Sequence, residues 1–86
     1  MASIEEVRSG IGQANAKADE AIGAAQQAVS AAEDAQSALS QVTEGSSQSD
    51  VEQANAFFAS AKEKFEEGQQ ALQAGKEAAE GISARL

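Results

Sequence analysis

Carboxylates are the abundant reactive groups in these 86 residues: fourteen Asp and Glu against six Lys and Arg, with no His and no Cys. In the first half they come in pairs that recur every fourteen residues, Glu5 with Glu6, Asp19 with Glu20 and Glu33 with Asp34. Paired carboxylates can do general acid–base work when their environments separate their pKa values. Neutral pairs stand between them, notably Gly12 with Gln13 and Gln26 with Gln27. A polar stripe this regular reads as a solvated helix face rather than as an active site.

Other chemistries fail for want of a partner group. Glu63, Glu66, Glu67 and Glu77 are rich in oxygen ligands, but di-iron helix bundles need a Glu-x-x-His motif. Asp50 and Glu52 do not make a calcium loop, which needs ligands at fixed positions along twelve residues. Gly10-Ile11-Gly12 has no strand before it and no Lys-Ser/Thr after it, so it is no phosphate loop. The absence of Cys excludes disulfides and thiolate chemistry. The absence of His removes the commonest metal ligand and general base. We therefore expect no enzyme activity, no cofactor, no metal and no small-molecule substrate.

The elements behind this pattern are helices. There is no Pro in the chain, where average usage is about 5%. Ser3-Ile4-Glu5-Glu6 is a capping box, with Ser3 as N-cap and Glu6 at the third helical position. With Ile4 as heptad position a, the a series is Ile4, Ile11, Ala18, Ala25, Ala32 and Leu39. The d series is Val7, Ala14, Ala21, Ala28, Ala35 and Val42. All are apolar, as a helix seam requires. The first helix is predicted over about 4–43 and a turn over 44–49, with Gly45 at C′. A second helix follows over about 50–85. Ser49 caps it in a second box, Ser49-Asp50-Val51-Glu52; Ser47 with Asp50 is the weaker alternative. Here a is Val51, Phe58, Phe65, Leu72, Ala79 and Leu86, and d is Ala54, Ala61, Gly68, Gly75 and Ile82. So short a connection makes the helices antiparallel neighbours. The fold class is all-α: an antiparallel two-helix hairpin, coiled-coil-like, in one domain over 1–86. Each helix should measure roughly 50–60 Å at about 1.5 Å per residue.

Folded at Ser46–Ser47, the chain sets large residues against small ones. Phe65 faces Ala28, Leu72 faces Ala21 and Phe58 faces Ala35. Gly68 faces Ala25 and Gly75 faces Ala18, so close backbone approach is the expected reason for both glycines. Larger pairs close the ends: Ile82 with Ile11, Leu86 with Val7, Val51 with Val42. Alternation of this kind gives dense layers.

One flank is left over. The g positions offer Ala24, Ala31 and Ala38 from the first helix and Phe57, Ala71 and Ala78 from the second. Phe57 adjoins Phe58, so the two cannot share one seam. These six residues are the expected interface. On the other flank Ile22 and Val29 lie among Asn15, Gln36, Lys62, Gln69 and Lys76. The core is thin, because Ala supplies 21 of the hydrophobic residues and only three are Phe. Pairing two hairpins into a four-helix bundle roughly doubles the burial. The expected partner is thus a second copy, or another helical protein in a heterodimer.

Charge and hydropathy narrow the alternatives. A net charge of −8 disfavours nucleic acid and anionic membranes, and leaves solubility by like-charge repulsion as the main role of the acids. No apolar run is long enough to span a membrane. Met1 to Glu6 is acidic and lacks an apolar core segment, so no Sec signal is expected. The expectation is a cytoplasmic protein, with signal-peptide-independent export open. Ala richness could suggest ice binding, but Thr43 is the only Thr.

Residues Ser3 to Ile11, then Gln13-Ala14-Asn15 and the Thr43-Glu44-Gly45-Ser46-Ser47 turn, resemble a small actinobacterial family of Ala-rich helical hairpins, which implies the fold and assigns no activity. Size and architecture are similar to the WXG hairpins of type VII secretion, which dimerise and accompany exported toxins or effectors. The turn here lacks the Trp, and the tail Gly81 to Leu86 lacks the Tyr of an export signal. That resemblance implies a partner or chaperone role. The cytoplasmic hairpin of chemoreceptors is similar in composition alone. On this reading the chain is a non-catalytic interaction module, and the alternative is a purely structural coiled-coil spacer.

Overall fold

A computed structural model describes residues 2–43 and 49–86. Two helices make up the fold, α1 (Ile4–Val42) and α2 (Ser49–Ala84), packed against each other as a hairpin. The start of α1 follows from its first box. Ser3 is extended, at φ −71° and ψ 165°, and its Oγ accepts from the Glu6 N–H at 3.1 Å. Glu5 and Glu6 lie in the first turn, where carboxylates meet the positive end of the helix dipole. At the far end Thr43 closes the helix, its N–H and its Oγ1 both donating to the Leu39 carbonyl, at 3.1 and 2.6 Å.

Ser49, the expected cap of the second box, is the first residue of α2. The alternative cap Ser47, the Gly45 C′ position and the rest of the turn at 44–48 lie outside the described residues. The last turn of α2 tightens: the Arg85 N–H donates to Gly81 and Ile82, and the Leu86 N–H to Ser83. Shorter-range bonds of this kind satisfy carbonyls that a helix end leaves free.

The hairpin is a rod of 63 × 18 × 15 Å with a radius of gyration of 19.3 Å. A compact domain of this length would have a radius near 12 Å. Two helices form only one seam, and each shields the other from one side. No described residue is therefore buried. The seam is half-covered, at Ile11, Ala18, Ala25 and Leu39 of α1 and at Val51, Phe58 and Leu72 of α2.

Two expectations about the seam are corrected. The ends are not sealed: Val42 is 81% exposed, Ile82 45% and Leu86 42%. Phe65 is 40% exposed despite its a position. The reason is common to all four, since a two-helix seam has no third layer to cover the outer edge of a large side chain. Gly68 and Gly75 do not serve close approach within the hairpin either. A Cβ at either would meet nothing within 4 Å. Larger side chains in the neighbouring layers, Phe65 and Leu72, set the separation of the backbones there.

Helix-interior glycines with open space weaken a helix by chain entropy alone. Gly12 and Gly23 are two such positions. Gly12→Ala and Gly23→Ala are each expected to raise hairpin stability by about 0.5–1 kcal/mol, read as a higher urea midpoint at unchanged slope.

Candidate interaction surface

The two flanks of the hairpin differ. On the e flank, Lys62 of α2 reaches Glu33 of α1 at 3.3 Å, and Lys76 reaches Asp19 at 2.6 Å. The two cations are two heptads apart, and so are the two acids. The register is therefore antiparallel and constant along this stretch, and it agrees to within a turn with the large-to-small pairing expected from sequence. Ile22, Val29, Asn15 and Gln36 of α1 and Asn55 and Gln69 of α2 are half-covered beside these pairs. Two ion pairs thus bridge the e flank between the helices. On the same flank the Asn55 Oδ1 is shielded from solvent and has no hydrogen-bond partner.

Lys76 also carries an electrostatic signature. Its hydrogen bond to Asp19 holds the ammonium above the ordinary lysine range, helped by the charges of Asp19, Glu80 and Glu77 and opposed by partial desolvation. A folded-state pKa above the unfolded value stabilises fully below the unfolded pKa. That contribution fades as pH rises through the folded one. Thermal midpoints should therefore fall through the strongly alkaline range, and Asp19→Asn should shrink the part of the fall due to Lys76.

The g flank is open. Ala24, Ala31, Ala38, Ala71 and Ala78 are all exposed, and Phe57 is 69% exposed. The hairpin brings these six residues to one side of the rod and covers none of them. Lys17 on this side bonds within its own helix to Glu20, at 3.2 Å. No ion pair among the described residues crosses between the helices here. No family model, curated protein or solved structure matches this chain. What the surface can do therefore rests on its own geometry.

All six cations sit on the flanks: Arg8, Lys62 and Lys76 at e positions, Lys17, Lys64 and Arg85 at g. The outward b, c and f faces carry no cation. Composition alone does not show this segregation; the heptad frame does. The acid pairs lie on the outward faces and are exposed. Among the described residues no carboxylate cluster is placed to hold a metal ion. A groove of about 390 Å³ between Ile22, Gln26, Glu66 and Gln69 is wide open and mostly lined by amides. No described helix is long and apolar enough to cross a membrane.

Proposed function

We propose that this chain is a non-catalytic association module that works by pairing its open flank with another helical surface, either a second copy or a different helical protein. One observation carries the reading: Phe57, 69% exposed, extends an uncovered Ala strip on a chain with no buried residue among those described. Surface area supports it. A globular monomer of this mass exposes about 4,700 Å², and this chain exposes 6114 Å². The excess of about 1,400 Å² on one chain is more than the roughly 800 Å² that each partner of a standard interface buries.

The resemblance to WXG hairpins extends the proposal to a partner or chaperone role in a type VII-like secretion or toxin system. The site of action is then the cytoplasm, or the cell exterior after signal-peptide-independent export. The acidic surface favours protein partners over nucleic acid. A structural spacer is the second reading, favoured by the 63 Å length of the rod. Light scattering behind size exclusion, over a wide concentration range, tests the self-pairing form. A mass of two chains is expected. A monomer throughout, with full helicity, would remove that form and turn the search to pull-downs with helical proteins.

A further inference from the structure

The ion pairs fix which residues of α1 and α2 share a level along the rod. Asp19 is level with Lys76 and Glu33 with Lys62. Ala24 is therefore level with Ala71, near the middle of the g flank. One heptad away, Lys17 is level with Ala78 on one side and Ala31 with Lys64 on the other. At the extremes, Gly10 is level with Arg85 and Ala38 with Phe57.

We propose that the occupant of this flank is a second copy of the chain, laid face to face and antiparallel, with the twofold axis crossing the Ala24–Ala71 level. The proposal rests on the association reading above and adds its partner and its register.

Charge supports this register. The α1 edge of the flank is its c row: Glu6, Gln13, Glu20, Gln27, Asp34 and Gln41, acid and amide in strict alternation. Turned about Ala24, every acid of one copy falls opposite an amide of the other. Glu20 meets Gln27, Asp34 meets Gln13, and Glu6 meets Gln41. A slip of one heptad would place Glu20 against Asp34, and facing like charges are penalised. The hairpin's own ion pairs account for Asp19 and Glu33 of the acid pairs; the alternation along the c row gives their neighbours Glu20 and Asp34 a role in this register. Lys17, facing Ala31 of the other copy, also comes within a turn of that copy's Asp34.

Size supports it as well. The bulky Ala38–Phe57 end meets the Gly10–Arg85 end, which sets an Arg guanidinium near a Phe ring, a favourable contact. The two exposed residues Val42 and Ile82 come opposite Val7 and Ala61 of the second copy. Gly68 and Gly75 meet each other across the axis, and the open space beside both lets the copies approach closely there. A twofold contact requires such a self-complementary patch. The face is 63 Å long and at least 15 Å wide, enough for the roughly 800 Å² per partner of a standard interface.

The chain has no Cys, so single cysteines report contacts without background. Ala24→Cys is expected to form a covalent dimer under mild oxidation, because its equivalents meet at the axis. Ala38→Cys alone should not, but should link when mixed with Gly10→Cys. Circular dichroism shows whether each variant keeps its helices. A dimer by light scattering whose Ala24→Cys stays unlinked, while a mixture of Ala24→Cys with Ala71→Cys links, would mean parallel rods. That result overturns the proposal and leaves self-association standing. A monomer at every concentration, with no link in any variant, overturns both.

Discussion

Phe57→Glu is expected to weaken self-association at least a hundredfold while leaving helical content unchanged. A hundredfold corresponds to about 2.7 kcal/mol, and covering a Phe side chain is worth roughly 1.5–3 kcal/mol. The carboxylate adds a desolvation cost in any state that covers it. The free hairpin loses almost nothing, because Phe57 is 69% exposed there. A dilution series by sedimentation or light scattering gives the dissociation constant, and far-ultraviolet dichroism gives the helicity. An unchanged constant would remove Phe57 and its Ala strip from the interface.

Phe65→Ala acts on the other side of the balance. A fully buried Phe→Ala change costs about 3–5 kcal/mol. Phe65 is 40% exposed in the hairpin, so the expected loss for the isolated chain is about 2 kcal/mol, scaled to the area it covers. Phe58, more fully covered on the same seam, should cost more when cut to Ala. Urea unfolding at concentrations where the chain is monomeric separates the two variants. A loss for Phe65→Ala at the top of the buried range would mean that something beyond this hairpin covers the ring.

Most of the architecture was legible because it rests on local rules. Ser3 and Glu6 announce the first helix by chemistry that acts over three residues, and the hydroxyl bond is there. The apolar a and d series define the seam because 3.5-residue spacing leaves one stripe to bury. The reading failed where a global quantity decides. Sequence pairs Val42 with Val51 and Ile82 with Ile11, but whether such pairs are sealed depends on how many layers surround them. Gly68 and Gly75 stand in seam positions, yet the separation of two backbones is set by the largest residues in neighbouring layers, not by the smallest. At the surface, heptad letters identified the flank of Phe57 and Ala24. They did not reveal that Lys62 and Lys76 bridge the opposite flank to Glu33 and Asp19, because reach across a seam depends on side-chain length and on register together.

The confinement of every cation to the flanks has a consequence for how the molecule responds to its medium. Each rod presents to solvent a sheath of carboxylates, of which, among the described residues, only Asp19, Glu20 and Glu33 are met by a flank lysine, at a net −8 per chain. Bringing two such rods together doubles the charge on one object, so long-range repulsion opposes what apolar contact favours. Added electrolyte shortens the range of that repulsion from about 10 Å at 0.1 M to about 3 Å at 1 M, and touches the apolar contact far less. The proposed pairing is therefore expected to strengthen with ionic strength, the reverse of an interface built on surface ion pairs, which would make dissolved salt a dial on assembly.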